Sequence, residues 1–201
     1  MPAPLVTPDP PLTDGDILLR PFLLDDAAAI AEACRDEEIT RFTFMPEGFT
    51  EDQAHTWIER SEDRWREGHA RFAVVDARSD ELLGQIGMAV AWFYGSAEAY
   101  YWLTAAARGR GVVTRALGMM ADWAFDVVGI ERLYLLVLPE NERSHLVAER
   151  CGFTREGTLR AYERFKGGRP DLVSWSLLPA DPRPWHALFI RPGEARGRAP
   201  E

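Results

Sequence analysis

The stretch that decides the fold is RGRGVVTRALGMM, residues 108–120, which follows the apolar run YYWLT at 100–104. Gly109 and Gly111 alternate with two arginines and lead into a segment whose apolar residues recur at three- and four-residue steps, as an amphipathic helix requires. The first four N–H groups of a helix have no partner within it, and the helix dipole adds about half a positive charge there. Because glycines let an anion approach this backbone closely, the stretch predicts a helix start that binds a phosphate or pyrophosphate.

Arginine–glycine stretches also occur in sites of different chemistry. A P-loop requires Gly-Lys-Ser/Thr, which does not follow here, and the spacing does not match the GxGxxG dinucleotide fingerprint. RNA-binding Arg-Gly-Gly segments are disordered and repeated, whereas this stretch occurs once and runs straight into a helix. Surface arginines at a tight turn stay an open alternative from these residues alone.

Composition limits the classes of partner. The chain of 201 residues has a formal net charge of -9, which argues against nucleic acid or an anionic membrane as partner and suits a basic acceptor such as an amine. No apolar run approaches transmembrane length, and the Pro-rich start lacks the plan of a signal peptide, so a cytoplasmic location without membrane association is predicted. Cys34 and Cys151 are too few for a disulfide framework, and the four histidines share no ligand spacing, so no metal site is predicted.

The chain is predicted to have three parts. A Pro-rich, flexible lead-in covers residues 1–12, one globular domain covers 13–178, and a Pro-, Arg- and Gly-rich tail, expected to be loosely ordered, covers 179–201. No internal repeat is present, and the length suits a single domain.

Helix and strand signals are mixed through the domain. Asp25 caps an Ala-rich helix, and the capping-box spacing of Thr50 and Gln53 starts a second helix. The segment 39–49 between them is broken by proline and glycine and predicts a loop. Antiparallel hairpins beside a strand–helix–strand unit predict an α/β or α+β fold around one sheet.

The order strand–RGRG–helix–RLYLLVLPEN–helix–CGF resembles the acyl-CoA-binding core of the GNAT N-acyltransferase superfamily. The pyrophosphate loop of that superfamily follows Arg/Gln-x-x-Gly-x-Gly/Ala, which Arg108 and Gly111 match, whereas Val113 departs from the final glycine or alanine. Further segments resemble the ribosomal-protein N-terminal acetyltransferases of the RimJ/RimL type, and the resemblance covers residues 15–178. These segments are LRPFLLDDAAAI, ENERSHLVAERCGFTREGTLR and KGGRPDLVSWSLL.

This resemblance implies a single GNAT-like domain with a central mixed, mostly antiparallel sheet of about seven strands and with about four helices. Its fourth and fifth strands, YYWLT and RLYLLVL, splay apart, and a backbone amide at the splay faces the thioester oxygen. The implied reaction is acyl transfer from acetyl-CoA to a primary amine, which is a protein N-terminus, a lysine or a small amine. The implied cofactor cradle consists of Arg108, Gly109, Arg110, Gly111, Val112, Val113 and Thr114.

Two alternatives stay open beside this reaction. The donor could be another acyl-CoA such as succinyl-CoA, because the acyl pocket is built from scattered strand residues. The chain could also be a non-catalytic CoA-binding module, an option that the departures at Val113, Tyr100 and Ala148 leave open. Homodimers are common among the proteins that the chain resembles, so a homodimer is one expected state.

Three polar residues have roles implied by the resemblance. Glu98 matches an acid placed near the amine, where it would accept a proton directly or through water; a solvated glutamate at a hairpin turn is the alternative. Ser144 matches a serine proposed to protonate the departing thiolate, and ordinary capping in a first helical turn is its alternative. Many relatives instead carry a tyrosine at the position of Ala148. Asn141 matches the residue that holds the pantetheine arm, or it is a helix N-cap.

The acceptor site is implied to lie beside the loop between the first two helices. Phe42, Phe44 and Met45 come from this loop, although plain packing explains each of them equally well. Tyr100 stands where many relatives carry glycine, so the wall of the acceptor channel is expected to differ in this chain.

Overall fold

The computed structural model describes residues 5–189 and shows one sheet of eight strands with helices on both faces. The strands are β1 (Leu12–Thr13), β2 (Ile17–Arg20), β3 (His69–Asp76), β4 (Leu82–Ala91), β5 (Ser96–Leu103), β6 (Arg132–Val137), β7 (Thr154–Leu159) and β8 (Leu172–Leu177). The helices are α1 (Ala27–Ala33), α2 (Glu37–Phe42), α3 (Glu51–Glu59), α4 (Ser61–Arg66), α5 (Val112–Trp123), α6 (Glu142–Arg150) and α7 (His186–Phe189).

The strands follow the order β1-β2-β3-β4-β5-β6-β8-β7, and every neighbouring pair is antiparallel except β5–β6. The predicted mixed, mostly antiparallel sheet is therefore confirmed. Eight strands are found where about seven were predicted, because the two-residue β1 pairs with β2. Seven α-helices occur in the described residues where about four were predicted, because two predicted helices are each divided and α7 lies beyond the predicted domain.

Local capping divides the first predicted helix. The carboxylate of Asp36 accepts a hydrogen bond from the N–H of Glu38 at 2.9 Å and starts α2. Helix α2 includes Ile39 and Thr40, both buried, which the sequence analysis assigned to a loop. The burial of Ile39 in the core beside α1 and α3 explains why these residues are helical despite the proline and glycine that follow.

The parallel pair β5–β6 opens after three residues. Pairing runs from Ser96 opposite Arg132 to Glu98 opposite Tyr134 and then stops, while β5 continues to pair with β4 as far as Leu103. Beyond Tyr134, β6 no longer pairs with β5, but it stays hydrogen-bonded to β8 on its other side. The predicted splay is thus confirmed; it lies between the fifth and sixth strands only because β1 adds one to the count.

Alternation along β5 distributes its side chains between two cores. Ala97 and Ala99 belong to the larger core, which includes residues of α5 and α6, and Tyr101 packs against it. Trp102 belongs to the smaller core, which includes residues of α1 and α3. Because successive side chains of a strand point to opposite faces, Glu98 lies on the same face of the sheet as Trp102.

Both terminal segments pack on the domain as far as the structure describes them. Leu5 is buried in the larger core, although the sequence analysis placed it in a flexible lead-in. In the predicted loose tail, Trp185 is fully buried, and its indole N–H donates to Asp122 on α5 at 3.0 Å. Long-range packing of these apolar side chains explains the difference. Residues 1–4 and 190–201 lie outside the described range.

We expect Gly118→Ala to destabilise the fold. A Cβ atom at Gly118 would lie 2.3 Å from Cγ of Trp185, so the substitution should lower the free energy of unfolding by about 1–3 kcal/mol in urea titrations. Helix propensity alone predicts the opposite sign, because alanine is favoured over glycine by about 1 kcal/mol. In a Trp185→Ala background the loss should become smaller, because the Cγ and Cδ1 atoms that clash most closely are absent. A stabilised Gly118→Ala variant would contradict the close packing.

Candidate active site

The turn at residues 108–111 and the first turn of α5 form an open anion cradle. Gly109 and Gly111 both have φ of +73°, a left-handed conformation that favours glycine. Gly111 is the N-cap of α5 and supplies no side-chain cap. A Cβ atom at either glycine would meet no other atom within 4 Å, so the space in front of the loop is open. Uncapped amides facing open space suit a pyrophosphate.

The arginines of the loop contribute less than its backbone. Arg108 forms ion pairs with Asp36 at 2.6 Å and Glu38 at 3.2 Å, and it donates to the carbonyl oxygen of Leu103 at 3.1 Å. Its charge is therefore engaged by the start of α2. Arg110 is exposed. The helix dipole and the backbone N–H groups remain as the main local attraction for an anion.

The remaining residues of the predicted cradle start α5. Val112, Val113 and Thr114 are all buried. Val113, the departure from the family pattern, is only 9% exposed, so its side chain lies within the protein and little of it faces the open side of the loop. The sequence analysis missed Arg115, which lies in the first turn of α5 and forms an ion pair with Asp14 at 2.5 Å.

Asn141 and Ser144 lie together at the start of α6. The side-chain oxygen of Asn141 accepts the N–H of Ser144 at 3.2 Å, so the N-cap interpretation of Asn141 is present in the structure. Ser144 is half-buried. The adjacent His145 accepts the indole N–H of Trp175 at 3.1 Å. Ala148, one turn further on, is fully buried.

Glu98 lies half-buried at the point where β5 and β6 separate. Burial raises the pKa of its carboxyl group to about 7, and the nearby Glu163 adds a smaller upward effect. Burial also raises the pKa of Glu163, and that of Tyr134 rises to about 12, through burial and then the charge of Glu98. A carboxylate whose pKa is near neutrality suits a general base at physiological pH.

The sequence analysis missed Glu163. It lies in the segment 160–171 that connects β7 to β8, where the Gly-Gly turn predicted a short hairpin loop. Only the turn itself is confirmed, by a bridge between Phe165 and Gly168, while the strands end at Leu159 and resume at Leu172. No local pattern marks Glu163, because its approach to β5 depends on how this long connection folds.

The predicted acceptor-site residues occupy different environments. Phe42 is half-buried, Met45 is buried, and Phe44 is 68% exposed and packs edge-to-face on Phe165 with ring centroids 5.0 Å apart. Tyr100 is half-buried, and its hydroxyl donates to the carbonyl oxygen of Ala70 at 3.3 Å.

Two contacts position these residues. A Cβ atom at Gly87 would lie 2.7 Å from the ring of Tyr100, so that ring requires glycine on β4. Lys166 donates to the carbonyl oxygens of Thr40 in α2 and of Met45 in the loop that follows, which ties the 160–171 connection to both.

A cleft of about 760 Å³ opens beside the wide end of the splay. It is bordered by Leu138, which directly follows β6, together with residues of α2 and of the 160–171 connection. Glu98 and Glu163 do not line it. The cleft therefore does not include these two carboxylates and does not by itself mark a reacting centre. Its lining includes Thr40, Arg41, Glu47, Leu138, Phe165 and Lys166.

Comparison with known proteins identifies the family. A family model described as an acetyltransferase (GNAT) domain matches residues 16–154. The chain belongs to the GNAT acetyltransferase family. It is accordingly an N-acetyltransferase that uses acetyl-CoA as donor and an amine as acceptor. Within residues 5–189, no group of three or more His, Cys, Asp or Glu side chains is arranged to hold a metal ion, and no helix is long and apolar enough to span a membrane.

This GNAT acetyltransferase is similar to several individual proteins. The Bacillus licheniformis protein p20, named an uncharacterized N-acetyltransferase, is 30% identical over 164 residues, which are 81% of this chain and 92% of p20. Spermidine N(1)-acetyltransferase of Vibrio cholerae is 30% identical over 100 residues, 49% of this chain and 57% of that protein. The fold matches Mycobacterium smegmatis RimJ, solved in complex with CoA-disulfide, with a TM-score of 0.77 and 24% identity, covering 87% of this chain and 88% of RimJ.

Proposed function

We propose that the acceptor of this N-acetyltransferase is the N-terminal amine of a peptide or protein. The observation that carries the proposal is the cleft beside the splay. Its volume of about 760 Å³ lies in the upper part of the range of about 300–1,000 Å³ for pockets that enclose small molecules. A cleft of this size has room for the first residues of a peptide chain, and the proposal has the terminal amine extend from it, past Leu138 at the end of β6, to Glu98 at the splay.

The chain's own groups divide the work of donor binding. Backbone N–H groups of residues 109–114 would hold the pyrophosphate at the start of α5, and Asn141, which caps α6, would hold the pantetheine arm. When bound, acetyl-CoA supplies an acetyl group activated as a thioester. A backbone N–H of β5 beyond Glu98, freed from parallel pairing by the splay, donates to the thioester oxygen, where negative charge develops.

Glu98 and Ser144 move the protons in this proposal. Glu98 accepts a proton from the acceptor ammonium, directly or through a water molecule, because its raised pKa lets it act as a base near neutrality. The Ser144 hydroxyl donates to the departing sulfur. Over one turnover the nitrogen loses two protons: one passes to Glu98 and is released to solvent, and the other replaces, through water, the proton that Ser144 gives to the sulfur.

A small polyamine is the second candidate acceptor. The two neighbouring carboxylates, Glu98 and Glu163, favour a cationic substrate, and spermidine N(1)-acetyltransferase is similar to half of this chain. The backbone cradle binds the CoA donor in either case, so only the residues that bind the acceptor distinguish a peptide from a polyamine.

A defined acceptor panel tests the proposal. The protein is incubated with acetyl-CoA, and in parallel with succinyl-CoA, and with three acceptors: peptides with free N-termini, the same peptides N-blocked but containing lysine, and spermidine. Released thiol measures turnover, and mass spectrometry locates the acyl group. We expect acetylation of free N-termini. Turnover confined to spermidine or to internal lysine would overturn the proposal, and tight CoA binding without any turnover would favour a non-catalytic module.

Oligomeric state and location stay predictions. A homodimer is one expected state, and light scattering coupled to size exclusion, with and without CoA, measures the oligomeric state directly. The predicted cytoplasmic location is measured by cell fractionation.

A further inference from the structure

Arg71 lies on β3, on the same face of the sheet as Glu98. In the strand register Arg71 is opposite Gly87 on β4, and Gly87 is in turn opposite Tyr100 on β5. Residues that are directly paired on neighbouring strands point to the same face, and Tyr100 follows Glu98 by two residues along β5. Arg71, Tyr100 and Glu98 therefore share the face of the sheet on which the acceptor is proposed to bind.

The ring of Tyr100 extends from β5 across β4 toward Arg71. Its hydroxyl donates to the carbonyl oxygen of Ala70, the residue before Arg71, at 3.3 Å. A Cβ atom at Gly87 would lie 2.7 Å from this ring, so the ring lies directly over the backbone of β4. The ring therefore covers the surface between the strand that carries Glu98 and the strand that carries Arg71.

The guanidinium group of Arg71 is held by an aromatic ring and not by a carboxylate. Its Cζ atom lies 4.5 Å from the ring centroid of Trp57 on α3, and Trp57 packs edge-to-face on Phe22 with centroids 5.1 Å apart. Arg71 is half-buried, and within residues 5–189 it forms no ion pair with a carboxylate. Stacking fixes the planar fork of an arginine and leaves its N–H donors available for an anion.

The surroundings of Arg71 differ in charge from those of Glu98. Burial lowers the pKa of His69 on β3, the charges of Arg64 and Arg71 lower it further, and Glu67 opposes them. This face of the sheet therefore has a cationic end at β3 and an anionic end at Glu98. An acceptor that carries both an amine and a carboxylate matches both ends.

We propose that Arg71 is a specificity-determining residue, which binds a carboxylate on the first side chain of the acceptor while the amine is at Glu98. A guanidinium fork holds a carboxylate through two parallel hydrogen bonds. The inference rests on the proposed function, in which the peptide arrives from the cleft on the β6 side and leaves its first side chain facing β3.

Strand spacing limits the length of that side chain. One strand separates β3 from β5, and the two residues are offset by two positions, so the Cα atoms of Arg71 and Glu98 are about 12 Å apart. With each group at hydrogen-bonding distance from its ligand, about 6 Å remain between amine and carboxylate. A glutamate side chain spans this length, so an acceptor that begins with glutamate is the best match.

Two peptides that differ only in their first residue test this inference: one begins with glutamate, the other with methionine, which has a similar length without charge. With acetyl-CoA as donor, kcat/KM is measured for the parent, Arg71→Gln and Arg71→Lys at a temperature where circular dichroism shows all three folded. The parent should favour the glutamate peptide about 10- to 100-fold, mainly through KM, as expected for a charge-assisted pair. This ratio should fall to within about twofold of unity in Arg71→Gln and be intermediate in Arg71→Lys, which keeps the charge but not the fork.

The outcomes separate this inference from the proposed function. Equal kcat/KM for the two peptides in the parent, or a preference that persists in Arg71→Gln, would overturn the role of Arg71 and leave peptide acetylation standing. If only free amino acids are acetylated, with a preference for glutamate over methionine that Arg71→Gln removes, the carboxylate site stands and the peptide acceptor fails. Turnover of spermidine alone overturns both. Arg155→Gln, at an exposed arginine of β7, is the matched control and should keep the preference of the parent.

Discussion

Replacing Glu98 with glutamine is expected to lower kcat/KM about 100- to 1,000-fold while leaving CoA affinity within about twofold of the parent. The amide keeps the size and polarity of the side chain but does not accept the proton of an ammonium group. Because Glu98 lies where β5 and β6 separate and is not part of the cradle at the start of α5, the loss should fall on the acceptor side of the reaction.

The pH profile provides the sharper measurement. A base with a pKa of about 7 is active when deprotonated, so kcat/KM of the parent should rise with pH and level off above about 7. Glu163→Gln is the matched variant, because it removes the neighbouring charge that raises the pKa of Glu98. It should retain most activity and move the rising limb to lower pH. A Glu98→Gln variant with the parent's activity and rising limb would exclude Glu98 as the base.

The Glu98→Gln substitution should also stabilise the folded protein at alkaline pH. The pKa of Glu98 is raised from 4.5 to about 7, so between these values the folded protein binds more protons than the unfolded chain. Stability conferred by this group is therefore lost as pH rises through that window. Glu98→Gln should raise the melting temperature at pH 8 and change it little near pH 4.5, with each 1 kcal/mol giving about 2–4 °C at this size.

Local sequence signals predicted most of the helices and strands, because caps and apolar periodicity depend only on residues close together in the chain. The capping box is an example: Thr50 accepts the N–H of Gln53 and the Gln53 side chain accepts the N–H of Thr50, at 3.3 and 2.9 Å. Apolar periodicity likewise located α5 and the strands that flank it. The splay was predicted only through the resemblance, because the residue pattern of one strand does not show where its pairing with the neighbouring strand ends.

Contacts between distant segments were not predictable in this way. Trp185 reaches α5 only because Gly118 leaves space for its ring. Glu163 approaches Glu98 through a connection whose course depends on the whole fold. The loop arginine Arg108 could be predicted as cationic, but its engagement by Asp36 depends on α2, which the sequence analysis divided between the first predicted helix and a loop. The sequence therefore predicted the backbone features of the candidate site, which are the glycine loop and the splay. It did not predict the contacts that side chains from distant segments make there.

Substituting Gly111 with alanine is expected to weaken CoA binding about 10- to 100-fold, because the added methyl group enters the space in front of the anion cradle. A Cβ atom there meets no other atom within 4 Å, so any loss of affinity cannot arise from a clash inside the protein. The φ of +73° adds a second effect, since alanine is strained in this conformation by about 1–2 kcal/mol.

Gly129→Ala separates the two effects. Gly129 has φ of +80° and also has no atom within 4 Å of a built Cβ, but it follows the far end of the helix that starts at Gly111. Both variants should lose similar stability in urea titrations, and only Gly111→Ala should raise the Kd for CoA in calorimetry. Equal affinities in the two variants would show that the cofactor phosphates bind elsewhere, since strain alone would then account for everything that the substitution at Gly111 does.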